Sequence, residues 1–366
     1  MVTQFSVVII LIFLIITFIY FLEPILTKQK IKDNKEHGSA RWATIKEIKQ
    51  NFREEKISNI NESGFPIYFS KDNKNVWFDN KTPHWICLGS TGSGKSVTSV
   101  IPYCSFIATA KNKKSVFITD PKAEILNTTS QMFKDNGYNV LCIDFRNPEY
   151  SNHINLLEPI ITEYELYYKY LKLNEKEKKE SKYIEYKNKS IIHYARCNQL
   201  VSDISSMIMN DATAKEKFWN NSSSDLLYGL IFLFLEDYVN GKIKREQITL
   251  TSIKKFQSSS MSDVNNKKIK KYIGGKTYDM KSKDKLFSLL NTSETTYRSI
   301  TSTFSERMSL YDDINVENIT SNSDFNFDDL GKKPTVLYCC VPDESQTYYT
   351  LISIIVSLIY KTLVIL

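Results

Sequence analysis

The sequence lacks the cysteine and histidine spacings that hold structural zinc. Its six cysteines form no CxxC pair, and its four histidines show no paired spacing typical of zinc ligands. We therefore expect reduced, mostly buried thiols and no structural zinc. The cysteines are Cys87, Cys104, Cys142, Cys197, Cys339 and Cys340.

Charged residues are absent from residues 1–22, and residues 5–22 are almost wholly Ile, Leu, Val and Phe. Such a run can cross roughly 30 Å of hydrocarbon, so it predicts a transmembrane helix. The flanking residues supply neither the basic start nor the small-residue cleavage site of a signal peptide. Four lysines follow the run within residues 28–35 and none precedes it, which predicts one span of the inner (cytoplasmic) membrane with the bulk of the chain cytoplasmic.

Wholesale disorder is excluded, because 366 residues with 42% hydrophobic composition can bury a sizeable core and form two or three domains. The net charge of +7 favours acidic partners such as nucleic acid or anionic lipid. Two further apolar stretches, residues 226–235 and 351–366, are short or carry a lysine. We interpret both as buried helices rather than membrane spans.

A phosphate-binding loop is the strongest motif in the chain. An apolar run at residues 85–88, predicted to be a strand, precedes a full match to GxxxxGK[ST], and residues 97–108 are predicted to form the following helix. The glycines let the backbone N–H groups surround the phosphates of ATP. Lys95 would reach the β- and γ-phosphates as the catalytic lysine, and the hydroxyl of Ser96 would bind Mg²⁺. The predicted nucleotide-binding residues are Gly89, Ser90, Thr91, Gly92, Ser93, Gly94, Lys95 and Ser96.

Apolar strands separated by helical segments predict a parallel sheet whose strands carry acidic residues at their carboxyl ends. Strands are predicted at residues 115–119 and 140–143, followed by Asp120 and Asp144. Glu124 follows the first of these, and Asp120 is a candidate ligand of Mg²⁺. The alternative that these acids cap helices remains open.

Five segments, in this order, resemble the TraG/TraD-like coupling proteins of conjugative type IV secretion. They are residues 37–43 (HGSARWA), the phosphate loop, residues 120–124 (DPKAE), residues 155–157 (NLL) and residues 331–343. Ala123 stands where the family usually has glycine, and Leu156 where it usually has proline. The resemblance spans nearly the whole chain.

The resemblance implies an α/β fold: an N-terminal transmembrane helix, then a RecA-like parallel-sheet domain that carries the phosphate loop and contains an inserted, mostly α-helical domain. Helical spacing at four stretches between residues 164 and 310 agrees with the insertion. The predicted domains are an anchor at 1–27, a membrane-proximal segment at 28–80, the two parts of the nucleotide-binding domain at 81–160 and 331–366, and the helical insertion at 161–330.

The family continues into an acidic Walker B strand beyond the point where this chain ends. Asp343 and Glu344 follow an apolar strand, but Pro342 intervenes and the family pattern makes this the strand before Walker B. We therefore expect an incomplete sheet, ATP binding without assured hydrolysis, and a chain that is the amino-terminal portion of a larger protein.

Lysines without interspersed acids at residues 265–276 form a second candidate site. Lys267, Lys268, Lys270 and Lys271 could follow a DNA phosphate backbone, with Tyr272 available for stacking, although chance basic runs are common in this composition.

Taken with the resemblance, these features predict a membrane-anchored ATP- and Mg²⁺-binding coupling protein. It would recruit relaxase-bound DNA to the channel proteins of a type IV secretion system, as a hexamer by resemblance. Two alternatives remain: a truncated, non-catalytic docking subunit or inactive gene fragment, and a membrane-tethered NTPase for another cargo.

Overall fold

The computed structural model describes residue 18 and residues 41–82, 84–176, 180–210, 217–262, 267–277, 280–342 and 347–365. Apart from residue 18, the predicted anchor lies outside these ranges, as do residues 37–40 of the HGSARWA block, Asp343 and Glu344. The described residues divide into two units, one that ends at Arg53 and one that begins at Glu54. No helix within the described ranges is long and apolar enough to cross a membrane.

The described part of the first unit is built around helix α1, Ile45–Asn51. Thr44 and Glu47 form a capping box, in which the Glu47 carboxylate accepts from the Thr44 N–H at 2.7 Å. Arg41 donates to both oxygens of the same carboxylate, at 2.9 and 2.6 Å. These bonds lower the pKa of Glu47 to about 2. Arg41 of the block therefore fixes a helix start.

A three-stranded sheet follows, with strands β1 (Arg53–Lys56), β2 (Phe65–Phe69) and β3 (Asn75–Asp79) in the order β1–β3–β2. Apart from Arg53, its residues belong to the second unit. Strands β2 and β3 pair antiparallel, and Val76, Trp77 and Phe78 of β3 are buried. We did not predict a sheet in this stretch.

The second sheet is parallel, as predicted. It contains β4 (Val116–Thr119), β5 (Asn139–Asp144) and β6 (Thr335–Cys340) in the order β4–β6–β5. Every residue of the central strand β6 is buried, as expected of a strand covered on both faces. Leu337 and Cys339 face a large helical core, whereas Tyr338 and Cys340 face a smaller cluster.

Helices cover both faces of this sheet. Two pack on the smaller cluster: α2 (Ile101–Thr109) and α3 (Glu124–Asp135). The large core includes residues of the other helices. They are α4 (Glu158–Lys176), α5 (Glu180–Met209), α6 (Lys217–Val239), α7 (Leu250–Ser260), α8 (Lys267–Gly274), α9 (Lys281–Leu290), α10 (Glu294–Arg307), α11 (Ile314–Thr320), α12 (Asp329–Lys332) and α13 (Thr347–Ile365).

Both later apolar stretches are core helices, which confirms the prediction for their described residues. Residues 226–235 are buried throughout within α6. In α13, Leu351, Ile354, Ile355 and Leu358 are buried in the large core.

The predicted strand at residues 85–88 is wrong. These residues adopt no regular secondary structure, and Ile86 and Leu88 are 84% and 89% exposed. A strand needs a neighbour for its N–H and C=O groups, and in the described part of the chain β4 pairs only with β6. Trp85 stacks instead on Phe65 of β2, with ring centroids 4.3 Å apart.

All six cysteines are free thiols, and four of them are buried. Burial raises the pKa of Cys104 to about 11 and that of Cys339 to about 12. These thiols therefore stay protonated at neutral pH, which agrees with the expectation of reduced, mostly buried cysteines.

Candidate functional site

Two glycines give the phosphate loop its curvature. Gly92 and Gly94 have φ angles of +78° and +84°, a region that side chains rarely adopt. The loop closes on Lys95, whose ammonium donates to the carbonyl oxygens of Gly89 at 2.6 Å and of Ser90 at 2.8 Å. The lysine therefore folds back over the loop that the motif predicts to hold phosphate.

The helix after the loop begins with a π-helical turn, Ser96–Val100, before it continues as α2. Thr98 binds the carbonyl of Gly94 twice, through its N–H and its hydroxyl, both at 2.8 Å. Pro102 lacks an N–H and cannot complete the regular α-helical bond to residue 98, which accounts for the wider turn. The predicted helix is confirmed, with this irregular start.

A carboxylate lies beside the predicted magnesium ligand. The Ser96 hydroxyl donates to Glu124 Oε2 at 3.5 Å. Glu124 is the first residue of α3, and the chain reaches it through Ala123, which has a left-handed φ of 55°. Glycine, expected at this position from the family resemblance, would adopt this conformation without the cost of a Cβ.

Asp120 and Asp144 lie at the carboxyl edge of the parallel sheet, as predicted, and both are buried. Asp120 accepts from the N–H of Leu126 in the first turn of α3, at 2.8 Å. Asp144 accepts from the N–H groups of Arg146 and Asn147, at 2.8 and 3.1 Å. Both acids therefore hold local turns, and Glu124 is the carboxylate that bonds to Ser96.

The basic segment is a short helix with two different faces. Lys267, Lys268 and Lys271 of α8 are exposed, and Lys270 is half-buried. The phenol of Tyr272 donates to Asp237 Oδ2 at 2.6 Å. Burial, followed by this bond, raises the pKa of Tyr272 to about 12. The ring is thus held against α6, while the lysines remain at the surface.

Lys276 is internal rather than part of the basic surface. Its ammonium lies 3.0 Å from Glu236 and 3.1 Å from Asp237, and its side chain is 7% exposed. Glu236 also accepts from the Ser282 hydroxyl and, at 3.2 Å, from the Ser282 N–H. The sequence signal that could have identified this internal ion pair is the pair of acids directly after the apolar run of α6. This network anchors the basic helix to the core.

A model of the family described as "Type IV secretory system Conjugative DNA transfer" matches residues 41–364. The match covers the phosphate loop, both sheets and all helices from α1 to α12. A comparison with curated proteins found no significant match.

Proposed function

The chain belongs to the type IV secretory system family of conjugative DNA transfer proteins, and from this membership we propose that it is an ATP-binding coupling protein. The observation that carries the proposal is the loop of residues 89–96, with two glycines at positive φ and Lys95 poised over the loop carbonyls. On binding, the ammonium would exchange these carbonyls for phosphate oxygens, which are stronger acceptors because they are charged.

We place Mg²⁺ at the Ser96 hydroxyl. Glu124 would accept a hydrogen bond from a water on the ion, because its carboxylate already lies 3.5 Å from Ser96. Asp120 and Asp144 would add negative charge at the same sheet edge. The parallel sheet, the loop and the helix after it support a RecA-like arrangement of this region.

The proposed cargo is DNA with its relaxase, delivered to the channel proteins of the secretion system. The exposed lysines of α8 offer a surface for the phosphate backbone. An anchor in residues 5–22 would hold the protein in the inner membrane, with the described region on the cytoplasmic side. A hexameric assembly is part of the same proposal.

A mating experiment tests this function. Donor cells that lack the gene are complemented with the wild-type chain, with Lys95→Ala, or with the surface control Lys111→Ala. We expect the wild type and Lys111→Ala to restore DNA transfer and Lys95→Ala to fail at equal protein level. Full transfer by Lys95→Ala would refute nucleotide binding as the basis of function. DNA-stimulated ATP hydrolysis by the purified chain would separate a motor from a docking subunit.

A further inference from the structure

Two thiols and one carboxylate meet near the carboxyl ends of β5 and β6. Cys142 and Asp144 are two residues apart on β5, so their side chains share one face of the sheet. The parallel register places Asp144 opposite Cys340. Both sulfur atoms and a carboxylate oxygen of Asp144 lie within 4.8 Å of one another.

The charge at this edge has no basic partner among the described residues. Asp144 is 5% exposed, and Asp120, which follows β4 on the other side of β6, is 3% exposed. Neither forms an ion pair with a Lys, Arg or His side chain in that part of the chain. Buried carboxylates of this kind are normally paired with a cation or coordinate a metal.

The carboxylate of Asp144 is already oriented. Oδ1 accepts from two backbone N–H groups, and Oδ2 accepts from the side chain of Asn147 at 3.2 Å. Metal-binding carboxylates are commonly held by such outer hydrogen bonds, which fix their direction. The lone pairs that these donors leave unused are available to a cation.

We propose that Cys142, Cys340 and Asp144 form a binding site for a thiophilic divalent cation of the zinc type. Tetrahedral zinc with a metal–sulfur bond of about 2.3 Å needs ligand atoms roughly 3.8 Å apart, so side-chain shifts of about 1 Å suffice. Two sulfur ligands disfavour Mg²⁺, which takes oxygen ligands. The site is therefore chemically distinct from the one proposed at Ser96. Three protein ligands leave a fourth position for water or another group.

Sequence spacing could not reveal this site. The two cysteines lie on strands far apart in the chain, and only the pairing of β5 with β6 joins them. The expectation of no structural zinc rested on the absence of local ligand pairs. The fold supplies instead a ligand set from two strands.

Titration of the reduced, purified full chain with Co²⁺ tests the site. We expect one equivalent to bind with a thiolate-to-cobalt charge-transfer band and the strong visible absorption of a tetrahedral ion, and Zn²⁺ to displace it. Cys340→Ala and Cys142→Ser should abolish the charge-transfer band or reduce it severely. Asp144→Asn should weaken binding at least tenfold.

Cys339→Ala is the matched control. This substitution also removes a buried thiol from β6, but the side chain of Cys339 faces the large helical core rather than the smaller cluster. The Co²⁺ titration of this variant should therefore equal that of the wild type. Lys95→Ala should also keep the Co²⁺ signal, which separates this site from nucleotide binding. Circular dichroism confirms that each variant is folded, and the partly exposed Cys142 provides a second test if Cys340→Ala does not fold. Absence of the band in the wild type, or its persistence in Cys142→Ser, would overturn the proposal.

Discussion

The hydroxyl of Ser96 donates to the carboxylate of Glu124 at 3.5 Å, which joins the phosphate loop to the start of α3. The two residues belong to different motifs, and the turn at Ala123 brings them together. A carboxylate at this distance from a magnesium ligand can hold a water of the metal ion. We therefore propose this role for Glu124, whose position in the DPKAE segment alone did not distinguish it from Asp120.

Glu124→Gln should raise the Mg²⁺ concentration needed for half-maximal ATP binding about tenfold, because the amide is a poorer acceptor for metal-bound water. Titration of Mg²⁺ with a fluorescent ATP analogue measures this. Asp135→Asn, at the exposed end of the same helix, should leave the curve unchanged. Equal curves for Glu124→Gln and the wild type would remove Glu124 from the site.

Ala123→Gly should stabilise the protein by about 1 kcal/mol, because Ala123 has a left-handed φ of 55° that costs about 1–2 kcal/mol for residues with a Cβ. Ala195→Gly, on the exposed face of α5, should destabilise it by about 1 kcal/mol, because glycine weakens a helix interior. Chemical denaturation measures both. If both substitutions changed the free energy of unfolding in the same direction, the left-handed conformation assigned to Ala123 would be contradicted.

Lys276→Met should lower the free energy of unfolding by about 3 kcal/mol or more, because it removes the ion pair of the buried Glu236 and leaves Asp237 only the half-exposed Lys242, at 3.7 Å, among the described residues. Lys285→Met removes a partly exposed pair with Asp225 and should cost less than about 1 kcal/mol. A comparable loss in both variants, measured by urea unfolding, would show that the network of Lys276 is no more important than a surface pair.

Replacement of the four lysines Lys267, Lys268, Lys270 and Lys271 by alanine tests the DNA surface. The slope of log affinity for single-stranded DNA against log salt should fall in magnitude by about 2–3, at roughly 0.7 per phosphate contact. A control variant with the same charge change replaces Lys111, Lys172, Lys182 and Lys187, which are exposed elsewhere. The basic helix has no part in DNA binding if the two variants show equal slopes.

The conformation of the loop at residues 89–96 was predictable because its motif is local: glycines for positive φ, then a lysine and a serine on a helix start. The parallel strands were predictable from their apolar runs. The prediction of a strand at residues 85–88 was wrong, because an apolar run forms a strand only beside a neighbouring strand. In the described structure no strand pairs with these residues.

The features that the sequence did not predict depend on contacts between distant segments of the chain. The bond of Ser96 to Glu124 depends on the turn at Ala123, and the approach of Cys142 to Cys340 depends on the pairing of β5 with β6. Sequence spacing gives neither contact. Tyr272 was predicted as a stacking ring because the sequence shows its lysine neighbours but not Asp237, its partner on another helix. The membrane anchor stays a prediction, as residues 5–17 and 19–22 lie outside the described part of the chain.

Nucleotide binding by Lys95→Ala is the most direct test of the account. The purified full chain should bind an ATP analogue in the presence of Mg²⁺, and Lys95→Ala should weaken binding at least about 30-fold, since losing one partner of a desolvated charge pair costs about 2–5 kcal/mol. Lys111→Ala should bind as the wild type does. Wild-type affinity in Lys95→Ala would contradict the assignment of residues 89–96 as the ATP site.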